Sequence, residues 1–271
     1  MKKLRWNFLQ PTATLLLILL LFSFKGDKLV LHKRIYIQGN YFSTDNLGNC
    51  FIVDRDEITK YDGNGTIFNK FSIKAFGPIE SIDATNPMKV MVFYKDFSKL
   101  IYLDNTLSLN GNPVDLEEYG LTQAKVICAS HSDGIWFYDQ QRFALIRLDK
   151  DLNTVQNTSN INQLLGVEIN PNFICEYNNS LYLNNPETGI LVFDIFGTYV
   201  KTIALPHLTK FQVSNEAIYF MQNKKAMVYN LKTTDINEVQ LADIEYNEFR
   251  FEKGMVYAKN SELIDILKYD N

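Results

Sequence analysis

The chain has 271 residues, 46% of them hydrophobic and 21% charged, with a net charge of −4. This is the composition of a globular chain with a full core, and it excludes a disordered one. It also lacks the basic excess that would point to nucleic acid as a partner.

Residues 1–28 stand apart. Lys2, Lys3 and Arg5 precede an apolar run at 12–24 (TATLLLILLLFSF), and the sequence turns abruptly polar at 25–28. The run is shorter than the roughly 20 residues that span a bilayer, but it fits the apolar region of a secretory signal. Ser23-Phe24-Lys25 is not the usual small-x-small cleavage pattern, and no Cys follows closely as in a lipoprotein. Residues 1–28 therefore read as either a signal peptide or an uncleaved N-terminal membrane anchor. On this reading the protein is exported, to the periplasm or beyond.

After the signal, Leu29–Ile37 (LVLHKRIYI) reads as a strand and residues 36–44 lead into a second. From residue 49 a unit repeats: a turn, a short apolar run, a polar turn, and a second run ending in an aromatic or Leu followed by Asp. The first runs are Cys50–Val53, Val90–Tyr94, Ile135–Tyr138, Leu181–Leu183, Ile218–Met221 and Met255–Ala258. The second runs end at Asp62, Asp104, Asp149, Asp194, Asn230 and Asp270, at intervals between 36 and 45 residues. Runs of four to six residues bounded by Asn, Asp, Gly and Pro are strands, because a two-helix repeat needs longer runs with a 3.6-residue period. Periods near 40 belong to four-stranded propeller blades.

The inner strand a of each later blade is expected just before the first run, at Ser81–Ala84, Val126–Ser130, Phe173–Tyr177, Phe211–Ser214 and Phe249–Glu252. Strands b and c are the two runs, and d follows the Asp turn. The sixth blade ends after strand c, and Leu29–Ile37 is the spare strand that completes it beside residues 262–269. The sequence thus predicts an all-β, six-bladed propeller over residues 29–271, closed by an N-terminal strand. The recurrent Asp reads as a turn opener that accepts backbone N–H groups, since six such positions spread round a ring cannot converge on one substrate.

Gly48-Asn49 before strand b and Tyr61-Asp62-Gly63-Asn64-Gly65 after strand c resemble an NHL repeat, as does Leu191–Tyr199 (LVFDIFGTY). In blade number and length the chain is similar to the wider group of six-bladed, TolB-like propellers. Blades two, three and five depart from the NHL pattern. WD40 and kelch signatures are absent, and Trp6 and Trp136 supply no per-blade Trp of the quinoprotein type.

Chemistry is sparsely marked. Cys50, Cys128 and Cys175 lie inside apolar runs and read as core residues, not as a disulfide or metal set. His32, His131 and His207 have no metal-ligand spacing and read as surface or turn residues. His131-Ser132-Asp133 is a triad in sequence only, because triads are made by geometry. No phosphate-binding Gly motif appears, and three N-x-[ST] tripeptides at Asn64, Asn157 and Asn178 fit chance in an Asn-rich chain. Six-bladed lactonases hold a divalent cation in the channel through oxygen ligands, which suits Ca²⁺. Such a resemblance would assign Glu80, Asp115, Asn172 and Asn247, near strand-a starts, as ligands, although no motif of that family is matched.

What remains is a surface. The b–c turns and d–a connections of a propeller share one face, and residues 154–171 form the longest connection on it. Arg55, Asp56, Arg142, Asn184 and Lys224 are its candidate contacts. The leading expectation is an exported, non-catalytic scaffold that binds another envelope protein and needs no cofactor. A channel-centred, metal-dependent lactonase or hydrolase, and a sensor of a small glycan or peptide, are the alternatives.

Overall fold

A computed structural model of the chain describes residues 28–39, 41–241 and 244–270. All but one of residues 1–28, and with them the signal or anchor expectation, lie outside the described residues.

The repeat folds as six four-stranded antiparallel sheets, and within each the strands run in order from the channel outward. Blade 1 is β2 (Tyr41–Thr44), β3 (Cys50–Asp54), β4 (Glu57–Tyr61) and β5 (Ile67–Ser72), and blade 2 is β6 (Ser81–Asp83), β7 (Val90–Tyr94), β8 (Lys99–Leu103) and β9 (Val114–Asp115). Blade 3 is β10 (Ala124–Ala129), β11 (Ile135–Asp139), β12 (Ala144–Leu148) and β13 (Thr154–Asn157). Blade 4 is β14 (Phe173–Tyr177), β15 (Ser180–Asn185), β16 (Gly189–Asp194) and β17 (Tyr199–Ile203). Blade 5 is β18 (Phe211–Ser214), β19 (Ala217–Gln222), β20 (Lys225–Asn230) and β21 (Ile236–Val239). Blade 6 is β22 (Glu248–Glu252), β23 (Met255–Lys259), β24 (Leu263–Tyr269) and, outermost, β1 (Leu29–Tyr36).

β1 runs antiparallel to β24, with Leu29 opposite Tyr269 and Tyr36 opposite Leu263, so the chain start completes the last blade as expected. The pairing is fixed by chemistry as well as by register. Arg34 donates to both carboxylate oxygens of Asp265 at 2.7 Å, and the Tyr246 hydroxyl donates to the same carboxylate at 2.6 Å. Burial pushes the Asp265 carboxyl up, but the Arg34 and Tyr246 hydrogen bonds and the Arg34 charge outweigh it and hold the carboxyl below its ordinary range.

The core is a ring of inter-blade layers, because both faces of each inner sheet are apolar. Phe51 and Val53 pack with Ile82 and Val92 between blades 1 and 2, and Phe137 with Met91 and Phe93 between blades 2 and 3. The ring is closed by Ile35, Phe42, Ile52, Tyr257 and Ile264 between blades 6 and 1. A sheet with two apolar faces needs a neighbour on each side, and a closed ring supplies both.

The recurrent carboxylate does what its position predicts. Asp62, Asp104, Asp149 and Asp194 each accept the backbone N–H two and four residues on, at 2.8–2.9 Å. Tight a–b hairpins take paired positive φ values at Asn178-Asn179, Asn215-Glu216 and Lys253-Gly254, which suits two-residue turns that follow the strand twist. At the opposite end, b–c turns and d–a connections hydrogen-bond to one another. Ile79 N–H donates to Arg55, Leu116 to Ser98, Ile161 to Phe143 and His207 to Pro186, at 2.7–2.9 Å. The span 154–171 is not one loop: β13 occupies its start, and a short helix α1 (Ile161–Leu165), capped by Asn160, lies within it.

Candidate functional site

The six inner strands surround a central cavity of about 440 Å³. At the end where strand a begins, each of the first five blades presents one polar side chain to it: Tyr41, Glu80, Lys125, Asn172 and Lys210. Each stands at or within one residue of the start of its strand, so the repeat itself builds the rim. Tyr41 reaches across to blade 2, where its hydroxyl donates to the Ile82 carbonyl at 3.0 Å. The Lys210 ammonium of blade 5 sits 3.3 Å from the centre of the Tyr41 ring, a cation–π contact across the channel. Burial pushes the Lys210 ammonium down, and the nearby Glu248 carboxylate opposes that shift. Burial likewise pushes the Glu248 carboxyl up, with Lys210, Arg250 and Lys259 pulling the other way.

The far end of the channel wall is stitched by carboxylates that reach between blades. Glu176 of blade 4 accepts four donors from blade 3: Ser130 Oγ at 2.6 Å, His131 N–H at 2.9 Å, Trp136 Nε1 at 2.9 Å and His131 Nδ1 at 3.0 Å. Arg147 completes the joint, donating from Nε to Ser130 Oγ at 2.8 Å and from Nη2 to the His131 carbonyl at 2.7 Å. The Ser130 hydroxyl donates to Glu176 and stands 3.3 Å from His131 Nδ1, which is itself engaged by the same carboxylate, so Glu176 gathers both groups and does not act through the His on the Ser. Asp83 accepts Thr85 N–H in its own blade and Ala129 N–H in blade 3, both at 2.9 Å. Glu252 of blade 6 accepts Gln212 Nε2 of blade 5 at 2.6 Å and Thr44 Oγ1 of blade 1 at 3.1 Å. Arg250 Nε donates to Thr44 Oγ1 at 2.8 Å.

The residues singled out from sequence separate into several places. Glu80 and Asn172 line the channel, and Asn247 lies at a small pocket between blades 5 and 6. Asp115 does not stand near a strand-a start. It ends β9, the two-residue outer strand of blade 2, where it pairs with Lys99 and accepts Glu117 N–H. Among the described residues, no three His, Cys, Asp or Glu side chains come together as metal ligands would. Arg55, Asp56, Arg142 and Lys224 lie on b–c turns: Asp56 accepts Ser72 Oγ at 2.6 Å, Arg142 stands 3.5 Å from Asp139, and Lys224 donates to both oxygens of Glu245 at 2.9 Å. Asn184 is not a surface contact. It is fully buried at the end of β15 and donates at 2.6 Å to both Asn172 Oδ1 and the Leu208 carbonyl, which fixes a d–a connection.

His131 is more than a turn residue, since it holds Glu176. Cys50 and Cys128 are core residues as expected, whereas Cys175 also lines the channel. Sequence reasoning missed Glu176 and Arg147. Both interrupt apolar runs, FICEY and LIRLD, and a charge inside a buried strand demands a partner.

No family model and no curated protein matches the chain. Solved structures do match in fold. Virginiamycin B lyase from Staphylococcus aureus is 12% identical with a TM-score of 0.63, over 90% of this chain and 100% of that one. BamB from Moraxella catarrhalis is 10% identical with a TM-score of 0.57, over 89% of this chain and 100% of that one. BBS1N, crystallised in complex with ARL6DN, is 12% identical with a TM-score of 0.55, over 85% of this chain and 77% of that one. At these identities the likeness is one of fold, a β-propeller, which in this chain has six blades.

Proposed function

We propose that this chain is an exported, non-catalytic propeller that binds another protein of the cell envelope across the face built by its b–c turns and d–a connections. The observation that carries the reading is the position of that face. Lys28 and Leu29 pair with Asp270 and Tyr269 at the c–d end of blade 6, so the chain enters the disc at residue 28 on the side opposite the b–c turns. A chain held through its N-terminal segment then presents the b–c face outward. The turns there are tied to the d–a connections by backbone hydrogen bonds and carry exposed Arg55, Arg142 and Lys224. A rigid, charged face suits a protein partner, with charge steering the encounter. BBS1N in its complex with ARL6DN gives the architecture a precedent for partner binding. The hydrogen-bonded state of Asp83, Glu176 and Glu252 supports a wall built for stability and not for proton transfer.

The test is cross-linked capture from fractionated cells expressing the full chain. The chain is expected in the envelope fraction with a discrete partner. Combined R55E, R142E and K224E substitutions should release that partner, while Lys150→Glu on the opposite face should keep it. A cytoplasmic chain, or capture unchanged by the triple variant, overturns the reading. A stoichiometric Ca²⁺ whose chelation removes a hydrolytic activity would favour the lactonase-like alternative.

A further inference from the structure

Among the described residues the channel leaves a lining acid, Glu80, and the lining bases Arg250 and Lys210 without a hydrogen-bonded counter-charge. Asp83, Glu176 and Glu252 each have carboxylate oxygens engaged by donors of neighbouring blades. Arg250 uses Nε on Thr44, and among the described residues neither of its Nη atoms has a protein acceptor and no carboxylate lies within ion-pair distance. Lys210 rests on the Tyr41 ring and likewise has no hydrogen-bond acceptor among the described residues. Ser214, on the same wall, has a buried hydroxyl with no partner there. All three line the cavity.

A guanidinium with two open Nη groups and a half-buried ammonium would both gain from an added acceptor. A planar carboxylate fits the guanidinium fork and is the acceptor that these donors suit best. The neighbouring carboxylates then limit the ligand. Glu80, Asp83 and Glu252 line the same cavity, and Glu248 stands beside Lys210 and Arg250. A second negative charge on the ligand would be repelled. The remaining lining supplies hydroxyl and amide groups from Ser43, Asn46, Thr85 and Ser214, which suit a neutral, hydroxyl-bearing body. The cavity of about 440 Å³ lies in the size range of small-molecule sites.

We infer that the channel is a binding site for a small, hydroxyl-rich monocarboxylate of the sugar-acid class, with the carboxylate held by Arg250 and Lys210. The Lys210 end of this site opens on the face of the b–c turns and d–a connections, so titration of the chain alone tests it apart from any partner bound there.

The test is titration calorimetry on the full chain with D-glucuronate, D-glucose and inorganic phosphate as probes. Glucuronate should bind, with glucose and phosphate each at least about tenfold weaker, the discrimination expected of one charge-assisted site. Lys210→Met and Arg250→Gln should each weaken glucuronate about tenfold or more. Lys201→Met, on the exposed outer strand β17 and outside the cavity, should change it less than about threefold. If Arg250→Gln does not fold, Lys210→Met decides. The inference is overturned by absence of glucuronate binding at about 10 mM, by phosphate or glucose binding as tightly, or by wild-type affinity in Lys210→Met.

Discussion

Glu176 and Glu252 are the same residue type near the same end of strand a, yet their surroundings make them different devices. Glu176 collects a hydroxyl, a backbone N–H, an imidazole nitrogen and an indole N–H from blade 3, with Arg147 bracing the donors. Glu252 receives one hydroxyl and one amide, and its carboxyl is pushed up by burial, with the Arg250 charge and both hydrogen bonds opposing. The first joint is saturated and locks two blades. The second leaves its arginine with free donors facing the cavity. The number of donors aimed at a buried carboxylate separates a structural pin from a wall with spare binding capacity.

The largest expected effect tests the pin. Glu176→Ala leaves the Trp136 indole, the Ser130 hydroxyl and the His131 amide without their acceptor. It should cost about 3–5 kcal/mol in urea unfolding, the range for breaking a buried charged network. A loss below about 1 kcal/mol would abolish the distinction between the joints. Asp265→Asn probes a third carboxylate, one with an arginine partner, and should cost about 2–3 kcal/mol by weakening the closing strand. Glu252→Gln should cost about 1 kcal/mol or less, because an amide can keep contact with Thr44 and Gln212. Lys224→Glu breaks an exposed pair with Glu245 and should shift stability by no more than about 0.5 kcal/mol.

Stability measured against pH sharpens the same contrast through opposite signs. The Asp265 carboxyl is held below its ordinary 3.8, so its contribution is full above that value and is lost as pH falls through the lower folded one. The Glu252 carboxyl is raised above 4.5, so its contribution is full below that value and is lost as pH rises through the higher folded one. Unfolding of Asp265→Asn should therefore lose part of the acid-side dependence, and that of Glu252→Gln part of the loss just above pH 4.5. The same sign of change in both variants would break the comparison.

The repeat made the propeller legible, because turn residues and apolar runs act locally and recur. The six recurrent Asp or Asn positions and the spare strand were enough to assign the blades and the closure. The joints were not legible for a physical reason. Ser130 and Glu176 lie 46 residues apart, and the contact depends on how adjacent blades are staggered, which no local pattern encodes. Asn184 misled because the end of a strand looks like the start of a turn; its side chain points inward to Asn172. Asp115 misled because strand d of blade 2 has only two residues, which placed the outer strand where a connection was expected.

The Arg34–Asp265 pair, 231 residues apart, sets an order of events in time. While the chain is being made, blades 1 to 5 can form from neighbours in sequence, but β1 has nothing to pair with until β24 exists. The arc therefore waits with two bare ends, and joining them is a contact of very high sequence separation that slows folding more than it limits stability. Moving the chain ends to exposed residues 167–168, in the d–a connection between blades 3 and 4, and linking residue 28 to residue 270 would turn that last contact into a hairpin and leave every blade contiguous in sequence. Such a permuted chain should reach the same ring sooner.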